Sequence, residues 1–233
     1  KELGFLAKKN DSVEDKKLRT SIIQFLADTG NNSEIRAQLV NMAIKYTGFH
    51  TDSQLHPQAV ERDLISTALI TAVEDLPTEF TTHLLHLFDA STEGTTRGRL
   101  LNGMAASKDT QFAAQMRDWI LSDKLRGNEI YTVFFTQVND KDQQLQMWQW
   151  VQDNLQAFKQ RMPTWFQGRL PLVGSGFCSN KYKQELQDYF EPIIEELSGG
   201  PRTLAQVTER IELCIAKKEH YKPMLDSYLA TQI

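Results

Sequence analysis

The residue types that could do chemistry in this chain are few, and their spacing works against most of it. Glu79-x-x-x-His83-x-x-His86 comes nearest to a metal site, because His83 and His86 are three residues apart on one helix and could chelate. The zinc-hydrolase arrangement His-Glu-x-x-His, in which two imidazoles reach one metal while the carboxylate handles the attacking water, does not occur. Leu84 and Leu85 lie between the two histidines, and no acid follows at the spacing that motif needs, so ordinary, partly exposed histidines are expected. Ser175 in Gly174-Ser175-Gly176 resembles a nucleophile elbow only at a glance, since that turn needs Gly-x-Ser-x-Gly between a strand and a helix. Cys178 has no nearby histidine, and Gly199-Gly200-Pro201-Arg202 reads as helix punctuation ahead of anion binding. With no catalytic constellation, what remains is a binding surface.

The elements that would carry such a surface are helical. Ser12 can cap a helix running to about Asp28 with Leu18, Ile22, Phe25 and Leu26 inward, and Gly30 ends it. Ser33 starts a second helix that closes at Gly48. Pro57 opens a third, broken at Leu76-Pro77, and Phe80 to Phe88 forms a fourth. A fifth spans Arg97 to Ala106, Asp109 caps a sixth, and Asn128 begins a seventh. Met147, Trp148, Val151, Leu155 and Phe158 then share a stripe on a helix that Pro163 stops. Trp148 and Trp150 are read as core and hairpin packing ahead of a peptide platform; they cannot both face the same way on a helix, which leaves room for one to touch a neighbouring domain. Ser179 caps a helix to about Phe190, and two more follow, one from Arg202 and a final one ending near Leu229. About a dozen helices with short links predict an all-α fold, a superhelical stack of antiparallel helix pairs of the HEAT or armadillo kind, whose concave wall binds partners. Leu18, Arg62 and Gly98 begin faint echoes at offsets near the roughly 40-residue period of such repeats.

Composition narrows the function. The 233 residues, 40% hydrophobic and 24% charged, are enough for a proper core without staples. A net charge of −4 argues against nucleic acid or an acidic membrane as partner, and no apolar run approaches a membrane span. Cys178 and Cys214 lie among apolar neighbours and are expected as buried free thiols, a single bridge being the alternative. Asn10-Asp11-Ser12 and Asn31-Asn32-Ser33 match the glycosylation pattern, which matters only in a eukaryotic secretory setting.

Order adds what single motifs lack. Trp148-x-Trp150-x-x-x-Asn154-x-x-x-x-x-x-Arg161 is followed by Phe177-Cys178-Ser179, by Glu185-Leu186-x-x-Tyr189-Phe190-x-Pro192, by Gly199-Gly200-Pro201-Arg202-x-Leu204-Ala205 and by Glu209-x-Ile211-x-x-Cys214. Upstream stand LGFLAKKNDSVEDKKLR, RGRLLNGMAASKD and RGNEIY. The series resembles the C-terminal helical domain of zinc aminopeptidases of the aminopeptidase N and puromycin-sensitive type, particularly bacterial members, from Leu3 to about Ala216. Asn102-Gly103-Met104-Ala105-Ala106 departs from that family's Gly-x-Met-Glu-Asn substrate anchor by lacking its carboxylate.

The resemblance implies that residues 1–233 are one C-terminal domain of a larger enzyme whose catalytic domain lies elsewhere in the polypeptide. Zinc would belong to the parent, with no cofactor in this chain. Partners would be the catalytic domain and peptide substrates, and the setting cytoplasmic, with a periplasmic or cell-surface enzyme left open. Peptide contacts are assigned to Arg97, Arg161 and Arg202, since a guanidinium pairs bidentately with a carboxylate. Arg99 and Arg126 also lie beside matched motifs, and for each arginine the alternative is an inter-helix salt bridge or a cap. A free-standing α-solenoid interaction module fits composition and periodicity equally well.

Overall fold

The structure, a computed structural model, describes residues 3–231 and divides into two compact units, one up to Met116 and one from Arg117. Among the described residues there is no strand. Helices α1 (Val13–Asp28), α2 (Ser33–Thr47), α3 (Ile65–Asp75), α4 (Thr78–Ala90) and α5 (Gly94–Ala105) make the first unit, and α6 (Thr110–Trp119) crosses its boundary. The second holds α7 (Ile130–Asn139), α8 (Gln144–Arg161), α9 (Thr164–Gln167), α10 (Asn180–Phe190) and α11 (Gly200–Ala230). Neighbours in sequence pack together, α1 on α2, α4 on α5, α7 on α8 and α10 on α11, as in solenoid-like helix stacks.

Local chemistry sets the helix ends. Ser12 accepts from the Asp15 N–H while the Asp15 carboxylate accepts from the Ser12 N–H, a capping box. Gly48, at φ +60°, closes α2, and a Cβ there would lie 2.3 Å from the Asp52 carboxylate. Asp109 caps α6 and Ser179 caps α10, as expected. Pro57 opens only a single turn of 3-10 helix, Pro57–Ala59, followed by another, Arg62–Leu64, so α3 starts later than its periodicity predicts.

In the first unit α3 is the central element, packed against both α2 and α5 and burying Ile65, Ala68, Leu69, Ala72 and Val73. The α5 backbone comes close enough that a Cβ on Gly103 would sit 2.9 Å from the Leu69 Cβ. Arg36 of α2 clasps the end of α3, donating to both Asp75 carboxylate oxygens at 3.0 and 2.6 Å and to Glu74 at 3.0 Å. Those acids hold its guanidinium pKa above the ordinary arginine value, with the Asp75 hydrogen bonds the main cause.

Helix α1 corrects the expected face. Leu18, Ile22 and Phe25 are exposed, Phe25 at 60%, and Arg19, Ile23 and Ala27 turn inward. The reason is polar: buried Arg19 pairs with Asp11 and donates to the Leu3 carbonyl at 3.2 Å, tying the leading segment to that face. A stripe read from apolar periodicity alone does not register a buried arginine.

The second unit is built around aromatic rings. Phe134 of α7 meets Phe158 of α8 at 5.7 Å between centroids and Phe166 of α9 at 6.0 Å. Both tryptophans of α8 are buried, in line with reading them as core packing. Trp148 contacts Phe177, Tyr189 and Phe190, while Trp150 lies edge-on to Phe158 at 5.3 Å. Helix α8 is covered by α7 and also by the 3-10 turn Leu170–Gly174, so two directions on it are interior.

Two further expectations give way here. Cys178 and Cys214 form a disulfide, with Cα atoms 5.3 Å apart, where free thiols were expected. The 36-residue separation says nothing about proximity; it is the packing of α10 on α11 that brings them together. The two expected final helices are one continuous α11, with Pro223 inside it. A proline removes one backbone donor, and along this exposed stretch no neighbouring element in the unit forces a turn.

Candidate binding residues

Arg97 lies on α5, which starts three residues before the expected Arg97 because Glu93 acts as its N-cap. The Glu93 carboxylate accepts from the Thr95 and Thr96 N–H groups at 2.8 and 2.6 Å. Those bonds, the Thr95 backbone foremost, hold its pKa down at about 2. The cap was legible as an acid three residues ahead of Thr96, but the sequence pattern around Gly94 masks a helix start. From the next turn Arg97 reaches back to α4. Its guanidinium donates to the carbonyls of Phe88 at 3.0 Å and Ser91 at 3.2 Å and stacks 3.8 Å from the Phe88 ring centroid. At 7% exposure it serves the C-terminus of α4, where orphan carbonyls need donors.

Arg161 sits at the end of α8 and is half-buried. It donates from Nη2 to the carbonyls of Ser122 and Leu125 at 2.5 and 2.9 Å, with the Asp123 carboxylate at 3.6 Å. The turn after α6 is thereby tied to α8. Arg202 differs from both, lying exposed in the first turn of α11 behind Gly199, which adopts φ +80°. Arg97 and Arg161 fall in different units. Arg161 and Arg202 share the second unit, at the end of α8 and the start of α11 respectively.

The remaining chemical candidates have structural surroundings. Glu79, His83 and His86, with Thr78 and Thr82, line an open groove of about 380 Å³. His83 donates from Nε2 to the Thr47 carbonyl at 2.8 Å, so that nitrogen carries a proton and is not a metal ligand. Among the described residues no group of three or more His, Cys, Asp and Glu could hold a metal ion. Ser175 closes the 3-10 turn Leu170–Gly174, donating its N–H to Leu172. Cys178 is bridged and offers no thiolate. Gly200 is pinned where a Cβ would lie 2.8 Å from the Ile194 carbonyl oxygen, which accounts for the glycine pair as punctuation.

Stacked helix pairs, with two of three candidate arginines turned to capping, define an all-α, solenoid-like class of domain. A family model described as the ERAP1-like C-terminal domain matches residues 1–213, and the chain belongs to that family, the C-terminal domain of M1-type aminopeptidases. A search of curated proteins finds no match. No helix among the described residues is long and apolar enough to cross a membrane.

Proposed function

We propose that this chain is the non-catalytic C-terminal domain of a zinc-dependent aminopeptidase, linked in one polypeptide to a catalytic domain that supplies the metal and the chemistry. The observation that carries this reading is the family match over residues 1–213, on a sequence that lacks His-Glu-x-x-His and Gly-x-Met-Glu-Asn. The two compact units would together form that single domain, closing over the active site and limiting which peptides enter. The whole enzyme would remove N-terminal residues from peptides. Of the three arginines assigned to peptide, Arg202 has the exposed side chain, and we assign it the contact with a substrate carboxylate. The Cys178 to Cys214 bridge supports a periplasmic or cell-surface setting over the cytoplasm, where thiols are kept reduced.

The test has two parts. Reading the coding DNA upstream of Lys1 is expected to reveal Gly-x-Met-Glu-Asn and then His-Glu-x-x-His in frame; a start codon directly upstream would instead mean a free-standing module. The purified chain is expected to show no peptide turnover and no stoichiometric zinc, and robust turnover by it would overturn the reading.

A further inference from the structure

The Cys178 to Cys214 bridge reaches the surface. Both cysteines are half-buried, and Cys178 lines an open groove of about 440 Å³ between the start of α10 and the middle of α11. Bridges with such exposure are the labile ones, since a thiolate can approach a sulfur without the fold first opening.

The rest of the groove has a definite chemistry. Lys218 and Lys222 lie one turn apart on α11 and bring two ammonium groups to it. Lys222 is held by Asp226, whereas Lys218 has no acid partner among the described residues. Ser179 and Asn180, also at the groove, begin α10, where the first backbone N–H groups have no intrahelical acceptor and carry the positive end of the helix dipole. Ile215 and Pro223 add apolar surface, and Glu219 adds a single carboxylate. The groove therefore offers positive charge to carboxylates, one acid to an amine and an electrophilic sulfur to a thiol. A small peptide-like thiol carrying carboxylates and an amine matches each of these features.

We propose that this groove is a thiol-exchange site, at which a small carboxylate-bearing thiol is captured on Cys178. The ligand's thiolate attacks the Cys178 Sγ, the sulfur that lines the groove. A new sulfur–sulfur bond forms there as the bond to Cys214 breaks, and Cys214 leaves with the electron pair as a thiolate that takes a proton from water. The ligand's sulfur is oxidised and that of Cys214 reduced, so the incoming thiol is the only co-reactant. The exchange frees the start of α10 from α11 at its one covalent tie, and Cys214 reverses it by attacking the mixed disulfide.

Glutathione is the probe, with 2-mercaptoethanol as a thiol that lacks carboxylates. The folded chain is incubated with each at equal thiolate concentration, trapped with iodoacetamide and mapped by mass spectrometry. Glutathione on Cys178 and alkylation on Cys214 are expected, with the glutathione reaction about ten-fold faster than that of 2-mercaptoethanol at low salt. That ratio should shrink as salt is added. Lys218→Glu combined with Lys222→Glu should slow the glutathione reaction by about ten-fold and leave the 2-mercaptoethanol rate unchanged. Both lysines are exposed, so the circular dichroism of that variant should keep its helical signature. A bridge that opens only as fast as the chain unfolds would overturn the proposal, as would a glutathione adduct on Cys214 or a glutathione rate indifferent to the two lysines.

Discussion

The two units are built of the same part, a helix packed on its sequence neighbour, and are held by different chemistry. In the unit up to Met116 the conspicuous fasteners are charged. Arg19 pairs with Asp11, Arg36 forks onto Glu74 and Asp75, Lys108 approaches Glu74 at 3.6 Å, and Glu93 caps α5. From Arg117 onward they are rings and sulfur: Phe134, Phe158 and Phe166 meet in one cluster, Trp148 sits among Phe177, Tyr189 and Phe190, and Cys178 is bridged to Cys214. The difference teaches that one architecture can answer to pH in one part and to reductant in another, because the fasteners, and not the helices, set the sensitivity.

Reducing the disulfide, or replacing both cysteines by serine, is expected to have the largest effect, about 2–4 kcal/mol for a crosslink closing a loop of this size. Hydrogen exchange should show the loss in α10 and α11 while α3 and α5 keep their protection. Equal loosening of α3 and α5 would break the contrast. Gly103→Ala should do the reverse. Its methyl would press on the Leu69 Cβ, which cannot swing away as a side-chain tip can, at a cost of about 1–3 kcal/mol seen first in α3 and α5. The smallest effect is the pH response. Since the Glu93 carboxyl sits at about 2 in the fold against 4.5 ordinarily, its contribution is fully present above the ordinary value and drains away as pH falls towards 2. Glu93→Gln should therefore flatten the fall in melting temperature across that acid range, and an unchanged slope would remove Glu93 from the charged fasteners.

Of the candidate residues, their places on helices were legible and their roles were not. Arg97 and Arg161 stood out as arginines beside ordered motifs, but that they meet the carbonyls of Phe88 and Leu125 depends on where α4 and the turn after α6 end. The bridge was equally hidden, because two cysteines among apolar residues look alike whether or not they touch. The buried face of α1 departs from its apolar periodicity because that pattern leaves out Arg19, which is buried.

By itself the sequence determined the helical content, the caps at Ser12, Asp109 and Ser179, the stop at Gly48 and, through its ordered motifs, the family. These rest on interactions within a few residues, or on a pattern along the chain. Only the tertiary structure decided which side of α1 is buried, that both tryptophans of α8 are interior, that Cys178 meets Cys214 and that α11 runs on as one helix with a bare end. Each depends on what lies across from the residue, and residues brought together from distant positions leave no periodic trace in the sequence.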